Sequence, residues 1–272
     1  MPVFCFGVAV TQPTDWGRVL AVFCILHLLV YPASNGFNSY YDRDEGSIGG
    51  LKNPPKVKTD LLYASLFLDL IATVWGFLIH FWFGIGIFLY GLVSKAYSYD
   101  KIRLKKYPFT SWLIIGFFQG AFTLWLTYRG VTDCTCAGLG VWNEHVAGAA
   151  LLSSWMLLGS YPMTQVYQHA EDSRRGDRTL SLLLGIRGTF VFTLLLFSSA
   201  GAGYFFYFWH YYSFTWAVIF ESSLLPVVLY FLRWFYRVWV DTSQADFQST
   251  MRLNLISAVC MNGFFVCLWL FK

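Results

Sequence analysis

Two stretches of this chain carry the same polar skeleton, 130 positions apart. Tyr31-Pro32, Asn35, Asn38, Asp42 and Gly46 are matched in order and spacing by Tyr161-Pro162, Gln165, Gln168, Asp172 and Gly176. On a helix, positions i, i+3 and i+7 share one stripe, so each copy would align two amides and a carboxylate on one face. Such oxygen-bearing faces suit Mg²⁺, a hard ion that keeps several waters and reaches protein through one or two carboxylates together with phosphates. Two faces meeting across one cavity, with basic residues beside them, would clamp a diphosphate. Charge drawn onto a diphosphate is what lets an allylic carbon–oxygen bond ionise.

The elements that must position these residues are membrane helices. The chain of 272 residues is 57% apolar and only 12% charged, with a mean hydropathy of +0.52, outside the range of an ordinary soluble domain. Continuous apolar runs of helix-spanning length, without alternation, exclude a transmembrane barrel. The net charge of +4 includes no basic tail, and nothing points to nucleic acid. The runs read as a short first segment to Thr11, then 16–38, 61–83, 84–98, 109–128, 145–168, 180–206, 212–234 and 253–271, nine in all. The first is too short to span and lacks the features of a signal peptide, so the chain reads as beginning part-way through a helix. All of 1–272 reads as one transmembrane domain with an internal pseudo-repeat, 31–46 matching 161–176.

Basic residues cluster in alternate loops: Arg43, Lys52, Lys56 and Lys58; Lys101, Arg103, Lys105 and Lys106; Arg174, Arg175 and Arg178; Arg233, Arg237 and Arg252. The remaining loops carry essentially Arg18 and Arg129. By the positive-inside rule both polar motifs face the cytoplasm, in a multi-pass protein of the cell inner membrane. Amides inside apolar segments are costly unless they pair or line a polar cavity, which favours function over solvated helix ends. Pro32 and Pro162 each remove a backbone hydrogen bond and should kink their helices just before the polar stripe.

Other ionisable residues are weaker candidates. Asp69 and Glu221 lie mid-segment, and Lys95 and Arg187 sit near enough to the boundary to snorkel. His27 and His80 read as packed residues, whereas His169, inside the second motif, is a candidate base. Cys134 and Cys136 share a polar loop, but two ligands one residue apart without a second pair are a weak metal signal, and activity should survive Cys134→Ser.

Asn38-Ser-Tyr-Tyr-Asp42-Arg-Asp-Glu-Gly46 resembles the first aspartate-rich motif of the UbiA superfamily of intramembrane prenyltransferases, in the form seen in its naphthoate (menaquinone-pathway) branch. Gln168-His-Ala-Glu-Asp172-Ser-Arg-Arg-Gly176-Asp-Arg178-Thr-Leu resembles the second motif, and Tyr97-Ser-Tyr-Asp-Lys101-Ile-Arg103-Leu-Lys105 the basic segment between them. The resemblance covers almost the whole chain. It implies an all-helical fold of about nine helices around a central cavity open to lipid. The implied reaction is Mg²⁺-dependent transfer of a polyprenyl group from its diphosphate to an aromatic or other lipid-soluble acceptor. By position, Asn38 and Asp42 would hold one metal, with Asp44 or Glu45 standing in for a later acid. Asp172, beside Gln168, would hold the other. Lys101, Arg103, Lys105 and Arg178 would meet the diphosphate, and Asn35 and Gln165 complete the substrate-facing stripes.

The sequence departs from that pattern at Gln168, where an acid is usual, at Ser39, where Asp is common, and at Gly46, which is acidic in many members. The second motif is therefore degenerate, and the first should dominate metal binding. Two alternatives share the diphosphate site: a membrane terpene cyclase, which needs a sealed aromatic pocket and no acceptor, and a non-catalytic lipid-diphosphate binder or transporter. Transporter sites usually lie at the midplane, whereas these motifs lie at one face.

Overall fold

The computed structural model describes residues 1–43, 46–132 and 143–272. Asp44, Glu45, Cys134 and Cys136 lie outside the described residues. In chain order the helices are α1 (Pro2–Thr11), α2 (Trp16–Asp42), α3 (Thr59–Ile79), α4 (Phe81–Ser98) and α5 (Pro108–Val131). They continue with α6 (Glu144–Gln165), the short α7 (His169–Arg175), α8 (Leu180–Tyr211), α9 (Phe214–Val240) and α10 (Phe247–Phe271). Seven of them, α2, α3, α5, α6, α8, α9 and α10, are long and apolar enough to cross a membrane. The fold is all-helical, as expected, and the protein is an integral multi-pass membrane protein.

Local chemistry sets the helix starts. Asp15, Asn143, Thr179, Ser213 and Asp246 each cap a helix by accepting from a backbone N–H three residues on. His80 caps through Nδ1, which accepts from Trp82 N–H two residues on at 3.1 Å, with its own backbone extended. That cap ends α3 at Ile79 and starts α4 at Phe81, whereas the hydropathy pattern runs the third segment to Phe83. Periodicity detects an apolar face and is blind to a cap inside an apolar run.

The core has two lobes. One gathers Phe6, Phe190, Tyr204, Phe208, Phe220 and Phe265. The other gathers Val22, Ile25, Leu26, Phe83, Ile87 and Leu126. The α1 helix lies between them, giving Phe6 to the first and Phe4 and Val8 to the second. Where lipid cannot drive helices together, small residues allow backbone contact: a Cβ on Gly120 of α5 would stand 2.5 Å from Ser154 Cα of α6. Large side chains such as Leu70, Leu78, Leu195 and Leu229 are exposed around the outside, where acyl chains would meet them.

Arg18 and Arg129, the exceptions to the charge pattern, are consumed by the fold. Arg18 donates to Gly130 C=O at 2.7 Å and to Ile79 C=O at 3.3 Å, satisfying carbonyls at the ends of α5 and α3. Arg129 is buried, 3.4 Å from His80 Nε2. Asp69 pairs with Lys95, whose ammonium also lies over the Phe37 ring, so neither mid-segment charge stands alone. Arg187 lies over the Trp239 ring, Glu221 packs against Gly201, and His27 stacks on Phe23.

Candidate active site

The two copies of the polar skeleton reach one cavity by different backbones. In the first, Ile25–Val30 is π-helical and Pro32 opens the α-helical turns that follow, so the wider i→i+5 pattern absorbs the N–H that proline lacks. Asn35, Asn38 and Asp42 then follow on one regular helix, which Arg43 ends in the left-handed region at φ 48°. In the second, regular helix stops at Ser160, and Tyr161–Gln165, with Pro162 in its first turn, tightens to 3₁₀. The expected continuous helical stripe from Gln165 to Asp172 is therefore broken, with Gln168 at φ −102°, ψ 0° and α7 starting at His169. Backbone bonds of 2.9 Å from Gln168 N–H to Gln165 C=O and from Asp172 N–H to Gln168 C=O keep the three residues on one side across the break.

The cavity measures about 900 Å³. Asn35, Asn38, Asp42, Gln165, Gln168, Asp172 and Lys105 all line it. Asp42 is buried at the C-terminal, negative end of its helix, where a carboxylate is disfavoured. Lys105 forms an ion pair with it, and Arg103 Nη2 lies 3.6 Å from its Oδ1. Asp172 lies in the first turn of α7, where a negative charge is favoured, and accepts from Thr179 Oγ1 at 3.4 Å.

The basic segment is organised by a carboxylate to which sequence reasoning assigned no role. Asp177, fully buried, receives Arg103 Nε and Nη2, each at 2.9 Å, and has Lys105 Nζ at 3.5 Å. Burial pushes the Asp177 carboxyl up, but the Arg103 hydrogen bonds and the Lys105 and Arg103 charges outweigh it and hold it below the usual carboxylate range. The same bonds hold the Arg103 guanidinium above its ordinary value. The signal was available as an acid directly after Gly176, whose φ of 75° makes the turn that aims it inward. Of the other basic candidates, Lys101 and Arg178 are exposed and do not line the cavity.

His169 turns its Nε2 to Ser181 Oγ at 2.8 Å and is not part of the cavity wall; burial lowers its imidazole below the ordinary value. Ser181 and Thr189 span the break in α8 at Gly185, so this histidine is tied to the helix start. Tyr97 and Tyr161, from the two halves, share a hydroxyl–hydroxyl hydrogen bond in the wall, and Gln165 Nε2 donates to the Tyr161 hydroxyl at 3.2 Å. Asn38 Oδ1 accepts from Ser98 at 2.6 Å, and Gln168 Nε2 donates to Ser47 C=O at 3.2 Å, so each amide is oriented by a neighbour. Gly46 has a steric reason: a Cβ there would stand 2.7 Å from Glu171 Oε2, a carboxylate that occupies that space and pairs with Arg175 at 2.9 Å.

Among the described residues, no three His, Cys, Asp or Glu side chains converge as a self-sufficient metal cage. What the cavity offers is three carboxylates, Asp42, Asp172 and the Arg103-bound Asp177, together with amides, all able to present oxygen. That donor set fits Mg²⁺ shared with a diphosphate, which needs few protein ligands.

Solved structures share this architecture at low sequence identity. A UbiA homolog from Aeropyrum pernix K1 in its apo form superposes with a TM-score of 0.70 at 13% identity, covering 97% of this chain and 96% of that one. A UbiA homolog from Archaeoglobus fulgidus bound to DMAPP and Mg²⁺ gives 0.68 at 12% identity, covering 100% and 94%. A digeranylgeranylglyceryl phosphate synthase gives 0.62 at 17% identity, covering 97% and 91%. No curated protein sequence matches the chain significantly. The sequence profile of the UbiA prenyltransferase family, however, matches residues 1–256. On that match, over a fold whose two repeated motifs line one cavity, the chain belongs to the UbiA prenyltransferase family and is a membrane-embedded prenyltransferase.

Proposed function

We propose that this prenyltransferase moves a polyprenyl group from its diphosphate to an aromatic or other lipid-soluble acceptor, with Mg²⁺ as cofactor, through a first motif whose spelling resembles that of the naphthoate branch. The observation that carries the reading is that both polar stripes and Lys105 line one cavity. The whole chain acts as one domain, and its duplicated stretch supplies two walls of the site. The basic loops support a position for the motifs at the cytoplasmic face, with the polyprenyl tail among lipid.

Asp42 and Asp172, with the amide oxygens of Asn38 and Gln168, would hold Mg²⁺; Asp44 and Glu45 belong to the same motif but lie outside the described residues. The chemistry that Mg²⁺ supplies when bound is neutralisation of charge on the departing diphosphate. Lys105 binds the diphosphate directly from the cavity wall. Arg103, outside the wall, holds Asp177 and through it the angle of the basic segment. The bond from prenyl C1 to the diphosphate oxygen breaks with its electron pair leaving on the diphosphate. C1 then bonds to the acceptor, whose displaced proton passes to the diphosphate or to water. The low-dielectric cavity strengthens these contacts and keeps water from the allylic cation.

The test is incubation of purified protein with Mg²⁺ and a panel of prenyl diphosphates, with mass analysis of the lipid extract and assay of released diphosphate. A prenylated acceptor is expected, and Asp42→Asn and Asp172→Asn should each abolish release. Release that survives both substitutions would remove the metal-site argument. A cyclic hydrocarbon or alcohol formed without acceptor would replace transfer with cyclisation.

A further inference from the structure

The inner part of the cavity contains an amide that neither motif supplies. Gln119 lies on α5, inside the π-helical turn Phe117–Phe122, and lines the cavity while remaining exposed. The turn is locally stabilised by Thr123 Oγ1, which donates to Phe118 C=O at 2.9 Å. Such bulges rotate side chains out of helical register and recur at functional sites.

Tyr31 Oη lies 3.4 Å from Thr123 Oγ1, which ties α2 to α5 there. Asn35 is one helical turn from Tyr31, and Gln119 one turn from Thr123, both toward the Asp42 end, and both line the cavity. Asn35 stands about 10 Å along its helix from Asp42. A diphosphate held at Asp42 would put its first prenyl carbon near Asn35. Neither amide side chain has a hydrogen-bond partner among the described residues. Gln165, only 6% exposed, lines the same cavity, and its Oε1 is buried with no partner.

Three amides with unused capacity would be costly against a hydrocarbon tail. The cations of the wall sit with the two motifs and their loops: Lys105 pairs with Asp42, Arg175 with Glu171, and Lys56 and Lys58 precede α3. Ser34 and Ser94 bond to each other in the wall, and Lys95 is tied to Asp69 and is not part of it. A carboxylate beside the three amides would compete with the diphosphate for those cations. A neutral group with hydroxyl or carbonyl oxygens would be satisfied, and the Tyr90 and Phe118 rings in the same wall offer faces to an aromatic body.

We propose that Gln119, with Asn35 and Gln165, forms an acceptor seat that selects a neutral phenolic ring over its carboxylated analogue, with Gln119 as the specificity-determining residue. This rests on the prenyl-transfer reading. It is tested on the full chain in lipid nanodiscs by calorimetric titration of 2-naphthol and 6-hydroxy-2-naphthoate into wild type, Gln119→Leu and Gln119→Asn. Wild type should bind 2-naphthol about tenfold more tightly than the carboxylate. Gln119→Leu should weaken 2-naphthol about tenfold, the scale of one neutral hydrogen bond, and Gln119→Asn should fall between. Preference for the carboxylate, equal binding by wild type and Gln119→Leu, or no binding of either compound overturns the proposal. Asp42-dependent diphosphate release by wild type is measured in parallel: its absence defeats the transfer reading, whereas its presence beside a failed titration defeats the acceptor seat alone.

Discussion

Arg103 holds Asp177 with two parallel hydrogen bonds of 2.9 Å, and the same guanidinium stands 3.6 Å from Asp42. One arginine thus ties the turn after the second motif to the acid that ends the first. Only a planar fork makes both contacts, so a lysine at 103 keeps the charge and loses the geometry.

Asp177→Ala leaves the partly buried Arg103 with Asp100 at 3.1 Å and Asp42 at 3.6 Å but without its two parallel hydrogen bonds. The expected cost is about 2 kcal/mol of stability, read by denaturation in detergent, the scale of hydrogen bonds to a charged group. Arg103→Lys should raise the KM for prenyl diphosphate with a smaller change in kcat. Wild-type behaviour of both variants would show that the pair is incidental.

Lys105→Met should be more damaging to binding than to folding. It removes the cation that offsets Asp42 at the negative end of its helix and takes away a positive charge that lines the cavity. Diphosphate affinity is expected to fall about tenfold or more, the scale of a charge-assisted hydrogen bond, as measured by competition with inorganic diphosphate.

Two groups at the motif end of the fold set an acid limit. Asp177 has a depressed folded pKa, so its contribution is full above the ordinary carboxylate value and is lost as pH falls below about 4. His169 is also depressed, by burial, so the unfolded chain takes up its proton first. Stability linked to His169 is full above its ordinary value and declines as pH falls below about 6.5. His169→Gln should flatten the decline that begins below about pH 6.5 and leave the carboxylate limb below about pH 4 intact. An unchanged slope in pH-dependent melting curves would exclude this assignment.

Gly120→Val should separate α5 from α6, since even a Cβ would stand 2.5 Å from Ser154 Cα and 2.6 Å from its backbone nitrogen. Backbone cannot yield as a side-chain tip does, and a loss of about 3 kcal/mol or failure to fold is expected. Gly188→Ala, 3.4 Å from only the Leu184 Cβ, is the control and should melt near wild type.

Tyr97→Phe and Tyr161→Phe each remove the hydrogen bond between the two part-buried hydroxyls and should cost about 1 kcal/mol apiece. The double substitution should cost less than the sum, because it removes donor and acceptor together. Additive losses in the thermal cycle would mean that the two hydroxyls do not interact.

The helices were legible in part because of their length: apolar runs long enough to span, separated by basic loops, admit little else. Their ends were legible only where a capping side chain stood outside the run, as at Asp15 or Thr179. At His80 the cap lay inside the run and the boundary moved. The two motifs were legible as a repeat of residue types at a repeated spacing. The different backbones that carry them were not, because a proline signals a deviation without choosing between a π and a 3₁₀ turn. That choice depends on what packs against each helix.

Sequence alone determined the membrane class, the two polar stripes and the side of the membrane that their charge pattern favours, since hydropathy, spacing and charge are local properties of a chain. Tertiary structure decided that Lys105 faces the cavity while Lys101 and Arg178 do not, that Asp177 anchors Arg103, that Glu171 fills the space above Gly46, and that Gln119 lines the same cavity as Asn35. These are relations between residues tens of positions apart. Which of several equal charges meets which acid is settled by the packing of whole helices, whose contacts are not written in any one segment.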